Sequence, residues 1–443
     1  MFSARPGRLV PGPQRSLFAD PTFRRLMPVF ALSDLGDGMS VVAVAWLALV
    51  LAPGGGQGSL VGIAVAAYVL PGALGALVLG RWIRRLPARR LLVADATLRA
   101  LLLGAVPLAH LAGVLTPAVY VGLLGASSLL HAWGRAGKYA LFVPLLSDDQ
   151  RVAANSVLST SMWSATIAGP ALAGVLVGVL SPVWIIGLDA ATFAALAVRA
   201  GRTTLPPPSG AGPAAGPSAG PAAGPAAAGG TQQGLRILRR RPELLGLLVV
   251  TWLFNLAFGP VEVALPVFIS GPLGAGSGLL GAYWAAFGVG AVLGALALGA
   301  ARRLPLWPVM LGIIAGHGLG LLPFAVPHTA LPSLIGFAFA GLTYGPYSAL
   351  SFTLIQERAP AEALTAVLAA NNAVLLTASP LGAAFGGFLL DRSSAAAVIV
   401  GCGALMVLMA LTCGVVLKLS GRDRRRRRAD PPGPLRTTRA EPG

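Results

Sequence analysis

The chain reads as an all-α membrane protein: twelve transmembrane helices in two pseudo-symmetric six-helix bundles, with both termini cytoplasmic. Three observations predict this. Of 443 residues 55% are hydrophobic and only 11% charged, with a mean hydropathy of +0.76, whereas a soluble domain carries about a quarter charged residues. Runs of about 20 predominantly apolar residues, the length that crosses a bilayer, occur twelve times. Finally, the stretch Leu74 to Pro87, LGALVLGRWIRRLP, returns at Leu293 to Pro305 as LGALALGAARRLP, one residue shorter.

The apolar runs fall at 26–51, 59–80, 91–112, 117–144, 153–180, 182–200, 244–269, 278–300, 307–326, 330–355, 363–390 and 395–418. The connection after the first, PGGGQGS, is uncharged, as are the later odd-numbered ones apart from Asp391 and Arg392. The even-numbered connections hold Arg81, Arg84, Arg85, Arg89 and Arg90, then Arg151, then Arg236, Arg239, Arg240 and Arg241, then Arg302 and Arg303, then Arg358. Positive loops mark the cytoplasmic side, which places these connections and both termini inside. Arg135 and Lys138 fall at the inner end of the fourth span and read as further anchors, or as groups that stabilise Asp37. The net charge of +18 is therefore topology rather than a nucleic-acid footprint, and membrane lipids, not nucleic acid, are the expected partners.

Residues 1–25 carry five arginines without a signal-peptide layout and read as a cytoplasmic tail. Residues 26–202 form the first bundle. Residues 203–242 begin with a Pro/Ala/Gly-rich run, PPPSGAGPAAGPSAGPAAGPAAAGG, too poor in large apolar groups to pack, and read as a disordered cytoplasmic linker. The basic segment that follows, LRILRRRPELL (Leu235 to Leu245), either lies on the membrane surface with its arginines toward headgroups or is a plain positive flank. Residues 243–420 form the second bundle, and 421–443 a basic cytoplasmic tail with six arginines between Arg422 and Arg428. A second trace of duplication supports the halves: a shift of 210 lays Val157, Leu158, Ala168 and Pro170 on Val367, Leu368, Ala378 and Pro380.

No grouping suggests catalysis. His110, His131, His317 and His328 are scattered, Cys402 and Cys413 both lie in the last span, and GRAGK (Gly134 to Lys138) lacks phosphate-loop spacing. No enzyme activity, metal or cofactor is expected. What remains are ionisable groups inside apolar runs, each costing about 2.5–3.5 kcal/mol at the bilayer centre.

Asp34 and Asp37 are three apart on the first span and share a helix face. Two unpaired carboxylates in low dielectric favour retaining a proton on one of them. The alternatives are that Asp34 is hydrated near the cytoplasm and that Gly36-Asp37 serves helix packing. Glu262 in FGPVEVALP lies between Pro260 and Pro266, where the loosened backbone exposes carbonyls to a cavity. It reads as a proton or substrate-cation site, or else as a group in water at the outer mouth. Asp95 and Arg99, spaced i and i+4, read as a structural charge pair, and Asp189 in GLDAATF reads as a further candidate for a cavity acid. Trp252, Asn255, Trp284, Tyr344, Tyr347, Asn371 and Asn372 are pocket or packing residues.

Four pieces together resemble the major facilitator superfamily, in particular its twelve-span drug/proton antiporters of the macrolide-efflux and enterobactin-exporter type, over about residues 20–420. The first is FRRLMPVFALSDLGDGMSVVAVAW (Phe23 to Trp46), with its Gly36-Asp37 pair. The second is the loop after span two, where Gly80, Arg85, Arg89 and Arg90 fit the family pattern but Arg84 stands at its Asp position and Pro87 at a small or acidic one. The third is IAGPALAG (Ile167 to Gly174), similar to the exporters' Gly-Pro-x-x-Gly-Gly motif, with Gly169, Pro170 and Gly174 matching and Ala173 replacing a glycine. The fourth, LTYGPYSALSFTLIQERAP (Leu342 to Pro360), is similar to the family's Gln-x-x-x-Pro turn.

The resemblance implies a monomeric bacterial inner-membrane exporter that moves an amphipathic small molecule outward in exchange for protons, with the proton gradient as its energy source. It also implies a cytoplasmic latch at the second piece. With Arg84 in the Asp position, the expected partner of Arg84 or Arg85 is Glu362 at the start of span eleven. The rival readings are an importer or facilitator of the same fold and a non-transporting sensor or assembly partner.

Overall fold

The structure, a computed structural model, describes residues 17–52, 56–78, 86–142, 146, 148–203, 228–300, 306–360 and 363–429. The latch residues Gly80, Arg84, Arg85 and Glu362, residues 204–227 of the linker and the outer parts of both tails lie outside the described residues.

The first half contains α1 (Pro21–Leu51), α2 (Gln57–Val78), α3 (Ala88–Leu111), α4 (Pro117–Ser128), α5 (His131–Ala140), α6 (Asp148–Val177) and α7 (Pro182–Gly201). After α8 (Ala228–Arg240) come α9 (Pro242–Ser270), α10 (Ser277–Ala300), α11 (Leu306–Leu321), α12 (Ala330–Tyr344), α13 (Tyr347–Arg358), α14 (Leu364–Leu390) and α15 (Ala395–Ala429). No strand occurs among the described residues.

Local sequence explains the ends. Asp20 caps α1 by accepting the Phe23 N–H at 2.8 Å, and Pro21 suits the first turn because its missing N–H would be unsatisfied there anyway. After α3 the chain turns at Gly113, whose φ of +71° is the left-handed conformation glycine adopts without steric penalty.

Among the described residues nine helices are long and apolar enough to cross a membrane: α1, α3, α6, α7, α9, α10, α11 with the turn after it, α14 and α15. A shorter apolar helical stretch, Gln57–Gly72, lies in α2. The runs expected to form spans four and ten are instead two helices each. In the first, the hydroxyls of Ser127 and Ser128 donate to the carbonyls of Leu124 and Gly125 at 2.7 and 3.2 Å, and Ser128 also reaches the Ala67 carbonyl of α2 at 3.1 Å. In the second, the break falls at Pro346, which has no N–H to continue the ladder.

Packing repeats with the sequence. The α1–α6, α3–α7, α1–α7 and α2–α4 contacts of the first half recur as α9–α14, α11–α15, α9–α15 and α10–α12 in the second. Across the halves α2 packs on α14 and α6 on α10. Small residues permit the closest approaches, since without water helices associate mainly through van der Waals contact. A Cβ on Gly169 of α6 would lie 2.6 Å from Gly38 of α1, and one on Gly174 would strike Gly281 of α10. The GPALAG residues Gly169, Pro170, Ala173 and Gly174 are all buried, so this motif joins α6 to its own half at one end and to the other half at the other.

Candidate functional site

Two sets of polar groups occupy the interior, one in each half, and a cavity lies between them. In the first half Arg99 of α3 is fully buried. Its Nη2 lies 2.6 Å from Asp37 Oδ1 of α1 and donates to the Tyr68 hydroxyl of α2 at 2.5 Å. Tyr68 in turn donates to Asp37 Oδ1 at 2.6 Å. The guanidinium also sits 4.4 Å from the Phe193 ring centre and 5.0 Å from that of Tyr68, positions in which the ring faces stabilise a cation.

His131, at the start of α5, completes this group. Arg99 Nη1 approaches its Nδ1 at 2.5 Å. Because a guanidinium only donates, Nδ1 accepts, and the ring proton sits on Nε2, which faces Asp37 Oδ2 at 3.6 Å. The helix break at Ser128 is what starts α5 at this histidine.

Asp189 of α7 is fully buried beside the network. It accepts from Ser40 at 2.6 Å, and the Tyr68 hydroxyl lies 3.5 Å away. A Cβ on Gly36 would collide with this carboxylate, which gives the Gly36-Asp37 signature a physical role: the glycine makes room for Asp189 while the aspartate holds Arg99.

Two expectations change here. Arg99 forms its ion pair with Asp37, not with Asp95. The i, i+4 spacing puts Asp95 on the same side of α3, but the guanidinium extends to the carboxylate and hydroxyl that α1 and α2 offer. Asp95 is 4% exposed, its Oδ2 lies 3.9 Å from His131 Nδ1, and its Oδ1 has no hydrogen-bond partner among the described residues. Nor are Asp34 and Asp37 an unpaired couple. Both oxygens of Asp34 lie 2.7 Å from Lys138 Nζ, and Ser161 donates to Oδ2 at 2.9 Å. Lys138, expected as an inner anchor or as a partner of Asp37, is 7% exposed and serves this bridge to Asp34 instead. Arg135 Nη2 lies 2.8 Å from Met162 Sδ.

The loop arginines that are described act locally. Arg89 Nη1 donates to the carbonyls of Thr203 at 2.6 Å and Gly201 at 3.2 Å, capping the end of α7, while Arg90 is exposed.

In the second half Glu262 of α9 accepts from Ser379 Oγ of α14 at 2.7 Å. It lies in the wall of a cavity of about 300 Å³ between the halves. Val41, Ala45, Val65 and Tyr68 line the cavity from α1 and α2, and Glu262, Trp284, Leu376 and Ser379 from α9, α10 and α14. Apolar walls with a few fixed polar groups are the usual make-up of a small-molecule site.

Of the other aromatic and amide candidates, Trp284 alone lines this cavity. Trp252 donates to Thr377 at 3.2 Å and Asn255 to Tyr347 at 2.9 Å. Tyr344 joins Phe254, Phe258 and Phe287 around His317, with ring centres 5.3 to 6.1 Å from that imidazole. Sequence reasoning missed Tyr68, His131 and Ser379. A tyrosine or serine in an apolar run carries no signal beyond packing, and His131 stood alone in its stretch.

The sequence profile of the Major Facilitator Superfamily matches residues 26–379. The chain belongs to the major facilitator superfamily. It is accordingly a multi-pass membrane transporter and not an enzyme.

Within the superfamily it is 28% identical over 381 residues to the multidrug efflux pump Tap of Mycobacterium tuberculosis, covering 82% of this chain and 85% of Tap. It is 29% identical over 299 residues to the uncharacterized MFS-type transporter y4rN of Sinorhizobium fredii, covering 66% of this chain and 70% of that protein. Two solved structures share the fold: an auto-inhibited POT family peptide transporter, with a TM-score of 0.66 at 12% identity over 89% of this chain and 97% of that one, and the nucleoside transporter NupG, with 0.64 at 13% over 90% and 99%.

Proposed function

We propose that this facilitator chain exports an amphipathic small molecule from a bacterial cytoplasm in exchange for protons. The observation that carries the reading is the cavity between the halves, with an acidic group in one wall and a tyrosine of the buried charge network in the other. Residues 26–202 and 243–420 act as two six-helix bundles of a twelve-span monomer in the inner membrane, both termini cytoplasmic. They rock about the cavity so that it opens to one side at a time. Glu262 binds a proton or the cationic part of the substrate. Asp37, with Arg99, His131 and Asp189, forms the second protonation centre, and the state of these carboxyls biases which side is open. The likeness to Tap supports outward drug transport as the direction and class.

Everted membrane vesicles from an efflux-deficient host test this with a panel of drugs, siderophores and secreted metabolites. Acidifying the vesicle interior drives uptake of at least one compound, and dissipating the gradient releases it. Uptake indifferent to the gradient points to a facilitator, and no movement of any compound by purified protein in liposomes points to a sensor. Glu262→Gln keeps the size of the side chain and an acceptor for Ser379 but removes the ionisable group. It lowers gradient-driven uptake at least about tenfold with unchanged protein level, and uptake equal to that of the parent dismisses Glu262 as a coupling site.

A further inference from the structure

The buried charge network and the cavity share one residue among those described, Tyr68. It lines the cavity, yet its hydroxyl is held within the network by Arg99 at 2.5 Å and Asp37 at 2.6 Å. Any occupant pressing on this wall meets the side chain that bridges the Asp37–Arg99 ion pair. We propose that Tyr68 is the positioning residue through which cavity occupancy is sensed by the Asp37–Arg99 pair: a filled cavity displaces its hydroxyl and changes the proton affinity of the network.

The duplication isolates what the hydroxyl adds. Counting back six residues from the repeated LGAL, at Leu74 and Leu293, reaches Tyr68 in α2 and Phe287 in α10. Arg99 and His317 each stand eleven residues beyond the first residue of α3 and α11, and Asp37 and Phe258 sixteen beyond that of α1 and α9. The second copy is an aromatic cluster in which Phe258 and Phe287 surround His317 at 5.3 and 6.1 Å. A phenyl ring therefore satisfies packing at the position of Tyr68, and the hydroxyl serves the ions that occur in the first copy only.

Among the described residues the charged or titratable groups around the pair are Asp34 and Asp37 on α1, Tyr68 on α2, Asp95 and Arg99 on α3, His131, Arg135 and Lys138 on α5, and Asp189 on α7. Asp34 is held by Lys138, whereas Asp37 and Asp189 both face the Tyr68 hydroxyl.

The inference rests on the cavity being the binding site, and its test needs no known substrate. In a Cys402→Ser, Cys413→Ser background, Val69→Cys places a thiol in the cavity wall, and reaction with N-benzylmaleimide fills the space. The carboxyl infrared band that Asp37→Asn removes is then titrated with pH in lipid nanodiscs. With Tyr68 present, the adduct moves the titration midpoint by about one pH unit or more, a tenfold change in proton affinity. With Tyr68→Phe, the midpoint is the same with and without adduct.

A midpoint that moves equally in both proteins, or in neither, overturns the proposal. Val65→Cys with the same reagent repeats the test from a second wall position, and unaltered melting of unlabelled Tyr68→Phe separates loss of sensing from loss of fold. Gradient-driven uptake in vesicles is read separately, so failure of the antiport reading and failure of the Tyr68 role are distinguishable.

Discussion

Arg99 shows how one residue organises the first half. A guanidinium withdrawn from water is tolerated because Asp37 neutralises it, Tyr68 and His131 accept its protons, and Phe193 covers one side. Removing one partner of such a buried pair strands the other charge and costs about 3–5 kcal/mol. Arg99→Ala and Asp37→Asn are therefore each expected to lower the thermal unfolding midpoint in detergent strongly, and the double variant to lose much less than the sum. A charge pair with Asp95 predicts the opposite pattern, with Asp95→Asn damaging and Asp37→Asn mild. In sequence the acid and the base were both visible as ionisable groups in apolar runs. Their pairing was not, because periodicity along one helix says nothing about which carboxylate a neighbouring helix presents.

At the scale of the element, α6 carries the clearest packing motif. Its small residues were legible as a close-packing stripe, but the helices packed against it were not, since small residues fit any partner. The structure assigns Gly169 to α1 and Gly174 to α10. Gly174→Val is expected to force α6 and α10 apart, costing about 1–3 kcal/mol through overpacking and abolishing uptake in the vesicle assay. Gly122→Ala in α4, where nothing lies within 4 Å, leaves both stability and uptake at the parent level. The broken helices divide similarly. Pro346 announces the α12–α13 break in the sequence, whereas no proline marks the α4–α5 break, beside which the Ser128 hydroxyl finds the Ala67 carbonyl of α2 only in the folded chain.

For the whole molecule, the most extensive contacts across the halves, α2 on α14 and α6 on α10, are where the proposed alternating access would act. At the start of α2 and the end of α14, the Ser59 N–H donates to Asp391 at 3.2 Å and its hydroxyl bonds the same carboxylate, and Gly62 meets Gly387. Replacing Ser59 and Asp391 by cysteines in a Cys402→Ser, Cys413→Ser background is expected to permit a disulfide that stops uptake and to restore it on reduction; uptake unaffected by the cross-link means that α2 and α14 do not part during turnover. Green fluorescent protein fused after Gly443 is expected to fluoresce, as it does in the cytoplasm. A dark fusion reverses the orientation inferred from the arginines.

By itself the sequence determined membrane residence, the approximate positions of the spans, the duplication and the family, because hydrophobic length, loop charge and repeated motifs are local properties of a chain in a bilayer. It also singled out Asp37, Asp189 and Glu262, since an ionisable group in an apolar run stands out wherever it ends up. Only the tertiary structure decided that Arg99 belongs to Asp37, that His131 and Tyr68 complete the network, and that Glu262 faces a cavity to which Tyr68 also belongs. These are distances between different helices, set by how small residues let those helices approach.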